Sequence, residues 1–411
     1  YFALQDFVAS FDDGHISLRG WAQMGHEWTA GWPGFLTGLR TGAGGERHEV
    51  VFRDGEAAPP VGAVLVGCDG VSAEALAEAR VGRGVGRWNM ASRRLTFARN
   101  LFVDERNPWL TLPQSCEFRV DGAVRSYALS WRDLPDATRD AAFAAARSPR
   151  HVTDIRLRPW AGGQWISLGG FDGDPAGADG VRLIALQAEV DAKADEIRAA
   201  PAVVFDLRGN GGGSSSWIYG LARSLWGEDH VAWRRPQATA VDWRASEENL
   251  ATIEGYKPVL GSNPEVLAWL NEISAGLSAA RAAGEPMWRQ GDEDETPPPA
   301  PAAPSPMKAR AWVFTDSGCG SACLDAVDLL KALGARHVGL ETSGDTVYME
   351  IREETLPSGR VTARIPMKVY RGRVRGNNET YVPEHEWTGD LSDTAGIEAW
   401  LAGLDAAAAG R

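Results

Sequence analysis

Lysine is scarce in this chain of 411 residues. It occurs only at 193, 257, 308, 331 and 368, and every other basic residue is arginine. Any mechanism that needs a catalytic lysine has five places to put it. Acidic residues outnumber basic ones, and the formal net charge is −13. A net acidic chain with scattered arginines lacks the basic footprint of a nucleic-acid-binding protein. No apolar run reaches the roughly 18–20 residues of a transmembrane helix, so no membrane span is expected. Cysteine is sparse too, with four residues, and four do not make a disulfide scaffold at this length. Metal-binding patterns are missing: there is no HExxH and no paired CxxC. His385, between Glu384 and Glu386, reads as a solvated loop residue. No metal or cofactor is expected.

What is present is ordinary for a protein with a buried core. Apolar residues make up 44% and charged residues 24%, which is too apolar for disorder. Seventeen tryptophans point to a Trp-rich interior. Length argues for two or three domains. The first residue is Tyr1, so the chain reads as trimmed, with any signal peptide removed before it.

Along the chain, residues 1–11 place Phe2, Leu4, Phe7, Val8 and Phe11 near helical spacing, and the turn Asp12-Asp13-Gly14 leads to His15. This predicts a truncated N-terminal helical segment, 1–32, carrying a histidine on a turn. Residues 33–132 hold short β-like runs at 48–52, 63–70, 116–120 and 127–131, with a short helix capped by Ser72. They read as a β-rich module. A linker helix is expected over 133–150. From 151 to 411 strands and helices alternate, which argues for an α/β layer. Within it, residues 291–306 are acidic and then proline-rich, the composition of a solvated, mobile loop.

Two segments carry the chemistry. Asp206-Leu207-Arg208-Gly209-Asn210-Gly211-Gly212-Gly213-Ser214 follows a buried strand and precedes a helix. Consecutive glycines let the backbone approach a ligand and turn N–H groups toward an anion or oxyanion. No Gly-Lys-Ser/Thr follows, so a nucleotide loop is disfavoured. The second segment is Asp316-Ser317-Gly318-Cys319-Gly320-Ser321-Ala322-Cys323. It sets a serine between small residues at a helix start, where the helix favours developing negative charge. Such a serine is either a nucleophile or an N-cap. Cys319 and Cys323 are four apart, about 6 Å between Cα atoms on a helix, and that spacing permits a disulfide or two buried thiols. A disulfide would imply an oxidising compartment.

Together these segments resemble the S41 family of serine peptidases, the C-terminal processing (tail-specific) and tricorn-like proteases. DLRGNGGG resembles the family's strand-to-glycine motif, and Gly320-Ser321-Ala322 its nucleophile context. Gly339-Leu340-Glu341-Thr342-Ser343-Gly344 and Tyr381-Val382-Pro383 resemble two later elements. The resemblance covers about 151–400 well and the N-terminal part loosely. It implies a ClpP/crotonase-like α/β catalytic domain beside a PDZ-like module at 33–132. It also implies Ser321 as nucleophile, and an oxyanion hole from Ala322 with Gly213 or Gly212. In the processing branch a lysine base follows the Gly-x-Thr-x-Gly segment, but the matching residue here is Asp345. That favours the tricorn-like branch, whose base is a histidine near the domain start, resembling His15. His26 and His385 are the other histidines to weigh. The third member resembles Glu379 by chemistry or Asn377 by spacing from Pro383. The implied activity is acyl-enzyme hydrolysis of peptide or unfolded-protein substrates, in the periplasm or outside the cell. The alternatives are an inactive binding protein on the same scaffold and a non-peptide acyl hydrolase.

Overall fold

A computed structural model describes residues 1–20, 30–41, 45–148, 151, 154–236, 240–260, 264–291 and 298–410. His26 and the acidic half of the 291–306 loop therefore lie outside the described residues. The chain begins with helix α1 (Phe2–Ala9), and strand β1 (Ser17–Arg19) follows the His15 turn. Next come β2 (Phe35–Arg40), β3 (Arg47–Arg53), β4 (Val64–Cys68), β5 (Ser115–Val120) and β6 (Ala123–Ala128). These five pair antiparallel in chain order. Their inner face buries Phe35, Phe102 and Phe118 as a packed aromatic group. Cys68 and Cys116 are partners in register across β4 and β5 and form a disulfide. Helix α2 (Asp136–Ala146) closes this module.

The second half is built on a six-stranded sheet. Strands β7 (Arg156–Trp160) and β8 (Gly163–Ser167) form a hairpin. Helix α3 (Ala178–Ala192) leads on, through a further short helix, to β9 (Ala202–Asp206) and then α4 (Ser216–Trp226). Later in the chain lie β10 (Ala240–Arg244), helices α5 (Glu247–Leu260) and α6 (Pro264–Ala283), β11 (Met287–Gln290) and β12 (Arg310–Thr315). They are followed by α7 (Ala322–Ala332), β13 (Arg336–Gly339), β14 (Tyr348–Thr355), β15 (Thr362–Arg371), β16 (His385–Glu386) and α8 (Thr394–Ala409). The main sheet runs β7-β8-β9-β12-β13-β16, parallel from β8 onward. All five residues of β9 are buried, as are the last five of β12, because helices cover both faces of a parallel sheet. Val203, Phe205 and Val313 pack on one face with Ile218, Leu221 and Leu225 of α4. Val204, Trp312 and Phe314 pack on the other with Ile397 and Leu401 of α8.

A second sheet joins β1, β15, β10 and β11, with β14 also paired to β15. Strand β1 lies antiparallel on β15, Ser17 opposite Arg364, so the start of the chain is tied to its far end. The turn before β1 meets the segment that follows β13, where the Thr346 hydroxyl donates to Asp13 Oδ2. The expected tryptophan core is present: Trp32, Trp165, Trp243 and Trp312 are fully buried. His385 lies in β16, paired to β13, with its Nε2 against Arg336. It is a strand residue, where a solvated loop was expected.

Candidate active site

The glycine loop after β9 and the serine loop after β12 leave neighbouring parallel strands at their carboxyl ends, where α/β sheets open a crevice. Asp206 and Arg208 fix the first loop. They form a fully buried ion pair, Nη2 to Oδ2 at 2.6 Å, and Trp165 Nε1 donates to the same carboxylate. Arg208 Nη1 also donates to Leu391 O at 2.7 Å, which ties the loop to the approach to α8. Asp316 staples the two loops together. Its Oδ2 accepts the Gly209 N–H and its Oδ1 the Gly318 N–H, both at 2.8 Å.

Ser321 stands at the start of α7 with φ 53° and ψ −125°. A side-chain-bearing residue in that region is strained by roughly 1–3 kcal/mol, and such strain collects at functional sites. The serine occupies the N-cap position, yet its side chain makes no cap hydrogen bond. It makes none elsewhere among the described residues. A structural N-cap serine would be expected to spend its hydroxyl on the N2 or N3 amide. The strained elbow is closed by the Cys319–Cys323 disulfide, with Cα atoms 5.3 Å apart and Ser321 midway between them.

Gly212 lies directly against this serine. A Cβ added to Gly212 would fall 2.8 Å from Ser321 Cβ and 3.1 Å from the Ala322 nitrogen. A side chain at Gly213 would strike Phe171 O at 1.6 Å. Both have positive φ, 102° and 129°, so close approach and backbone conformation both require glycine here. The N–H groups of the two glycines differ. That of Gly212 donates to Asn210 Oδ1 at 2.9 Å. Those of Gly213 and Ala322 donate to nothing among the described residues. Ala322 is the first residue of α7, where an amide has no intrahelical acceptor. The open pair of donors is therefore Ala322 with Gly213, and Gly212 contributes its lack of a side chain.

His15 and Ser321 are both anchored to the segment 342–346. Ser343 N donates to Cys319 O at 3.0 Å, which seats the elbow. Thr346 Oγ1 donates to Asp13 Oδ2 at 2.9 Å, which seats the histidine turn. Two residues, Gly344 and Asp345, separate these anchors, a span of at most about 11 Å. Arg87, from the β-rich module, adds a clamp. Its backbone N–H donates to Asp12 Oδ1 and its Nη1 to Gly344 O, at 3.0 and 3.1 Å.

Asp345, where the resemblance would put a lysine, is buried in a charge cluster. It pairs with Arg375 at 3.2 Å and Arg373 at 3.5 Å. Arg375 is itself fully buried and also pairs with Asp325 and Asp328. Tyr381 hydrogen-bonds Asp328. Burial pushes the Asp345 carboxyl above its ordinary range, while Arg375, Arg373 and His15 favour its ionised form. The three surrounding acids hold the Arg375 guanidinium above its already high value, against the cost of its burial. No group in this cluster can serve as a neutral amine base. The lysines are engaged elsewhere: Lys193, Lys257 and Lys368 in ion pairs, Lys308 with Ser305 O, and Lys331 over the Tyr381 ring.

The structure does not bring Glu379 or Asn377 to His15. Glu379 is exposed and its Oε2 accepts the Gly376 N–H of its own turn at 2.6 Å. Asn377 Oδ1 accepts the Val347 N–H at 3.1 Å. Asp316 and Thr346 were missed as organising residues. Asp316 sat inside a quoted motif, but only the fold reveals that it serves two loops.

No family model matches the chain, and no curated protein does. Among solved structures, mature CPAF complexed with lactacystin aligns with a TM-score of 0.57 at 15% identity, over 98% of this chain and 87% of that one. A serine-to-alanine mutant of CPAF aligns at 0.55 and 14%, over 98% and 85%. A weaker likeness, 0.36 at 14% identity over 98% and 86%, is to the photosystem II D1 C-terminal processing protease. The chain therefore has the fold of CPAF across nearly its whole length.

Proposed function

We propose that this chain is a serine peptidase of the S41 type that works through an acyl-enzyme. The observation that carries the reading is Ser321. It is held at φ 53° with its hydroxyl uncommitted, beside two backbone N–H groups, of Ala322 and Gly213; among the described residues none of the three has an internal partner. Ser321 Oγ attacks the scissile carbonyl and His15 takes its proton, which a group of imidazole basicity does well near neutral pH. The carbonyl oxygen, now negative, is received by the two N–H groups. One such donor contributes on the order of 3–4 kcal/mol to the transition state. His15 then protonates the leaving amine, and water repeats the sequence on the ester.

The shared fold with CPAF supports this reading, as does the charge cluster at Asp345, which leaves no place for a lysine base. The β-rich module supports a peptide substrate, because its last strand, β6, is an exposed edge that can accept an added strand. The two disulfides support a periplasmic or extracellular location.

A fluorophosphonate probe tests the nucleophile. Wild type is expected to label and Ser321→Ala to stay unlabelled; equal labelling of both removes Ser321. Turnover of an unstructured protein such as casein, against turnover of a p-nitrophenyl ester alone, separates peptidase from general acyl hydrolase.

A further inference from the structure

A histidine that acts as a base needs its second ring nitrogen held, so that the correct tautomer faces the nucleophile and the imidazolium is stabilised. In this structure His15 Nδ1 is buried and has no hydrogen-bond partner among the described residues. One carboxylate approaches it. Asp13 Oδ1 stands 3.9 Å from Nδ1, and among the described residues no other carboxylate pairs with the ring. The Asp13 side chain is 4% exposed. Its position is fixed from two directions: Oδ1 accepts the His15 backbone N–H at 2.7 Å, and Oδ2 accepts the Thr346 hydroxyl at 2.9 Å. Thr346 is 1% exposed and directly follows Asp345. The segment that carries no lysine base therefore docks the histidine turn.

From this geometry we propose that Asp13 is the positioning carboxylate of His15, held in place by Thr346. Closing the 3.9 Å gap to hydrogen-bond length needs a movement of about 1 Å, a looseness common before substrate binds. The Asx turn already puts carboxylate and ring on the same side of the loop. The inference rests on Ser321 and His15 being nucleophile and base.

The experiment is fluorophosphonate inactivation, resolved into the binding constant KI and the chemical rate kinact. Asp13→Asn keeps the acceptor for the His15 N–H, and so the turn, but removes the carboxylate. It is expected to lower kinact by about 100-fold or more, with KI within about threefold of wild type. Thr346→Val is expected to lower kinact about tenfold, and Thr346→Ser, which restores the hydroxyl, to return it to within about threefold. Glu379→Gln and Asn377→Ala are expected to stay within about threefold. Wild-type kinact in Asp13→Asn, with Ser321→Ala unlabelled, overturns the proposal and leaves the nucleophile standing. A large loss in Glu379→Gln also overturns it. Labelling of Ser321→Ala overturns the underlying reading instead. If Asp13→Asn does not fold, the Thr346→Val and Thr346→Ser pair decides: equal rates in both refute the clamp.

Discussion

Consider removing each disulfide by itself. Cys68–Cys116 closes a loop with a sequence separation of 48, and Cys319–Cys323 one of 4. Chain-entropy arithmetic gives the first about 4 kcal/mol of stabilisation and the second about 2 kcal/mol. The short bridge is therefore the weaker staple for the fold. Its place is the elbow, where Ser321 sits in a conformation costing roughly 1–3 kcal/mol. The elbow is also held by Asp316, by the Ser343–Cys319 hydrogen bond and by the Cys323 N–H on Gly320 O. Losing about 2 kcal/mol of constraint can shift the elbow toward a relaxed form by up to about 30-fold. The double variant Cys319→Ala/Cys323→Ala is thus expected to slow fluorophosphonate labelling between severalfold and about 30-fold, while lowering unfolding free energy by about 2 kcal/mol. The variant Cys68→Ala/Cys116→Ala is expected to lose about 4 kcal/mol in urea unfolding, followed by tryptophan fluorescence, and to label at the wild-type rate while folded. The reasoning fails if the elbow variant labels like wild type, or if it is the less stable of the two.

Two further outcomes follow from the geometry. Gly213→Ala drives a methyl group into Phe171 O and forces a side chain onto φ 129°. Labelling is expected to fall about 100-fold or more, while Gly211→Ala, which meets nothing within 4 Å among the described residues, is expected to stay within about threefold. Acid stability is the other. Burial holds His48 and His337 down to about 4 each. The unfolded chain, with ordinary histidines near 6.5, binds the extra protons, so stability is full above about pH 6.5 and falls toward pH 4. The raised carboxyls of Asp345 and Asp328 oppose this in part. Urea midpoints from pH 8 to 5 should show His337→Gln with a slope shallower by up to about 1.4 kcal/mol per pH unit; an unchanged slope refutes it.

Much of the main sheet was legible because its strands are contiguous and buried on both faces. AVVFD and RAWVFT announce themselves as apolar runs ending in small residues. The apolar run at 166–171 by itself suggests a strand there, but β8 lies at Gly163–Ser167, since Gly163 is packed against the Ala202 carbonyl and pairs within the hairpin. The helical periodicity over 180–200 suggests one helix, but it is broken at Lys193, whose ψ of 13° starts a new turn. Strands β10 and β11 gave no clear signal. They are short and half-polar, and they become strands by pairing with β15 and with each other.

The sequence alone determined the neighbourhood of Ser321, the proposed nucleophile, since a serine among glycines between a strand and a helix is a local pattern. It also placed Asp345, and none of the five lysines, at the position where the resemblance would put a lysine. What only the tertiary structure decided are relations between distant segments. Spacing cannot show that Cys68 meets Cys116, that Arg375 neutralises Asp345, or that Asp316 serves two loops. Nor could it show that the carboxylate facing His15 is two residues away rather than near residue 379. Local conformation is written in neighbouring residues, whereas the partner of a buried charge is chosen by whichever group the sheet brings within hydrogen-bond reach.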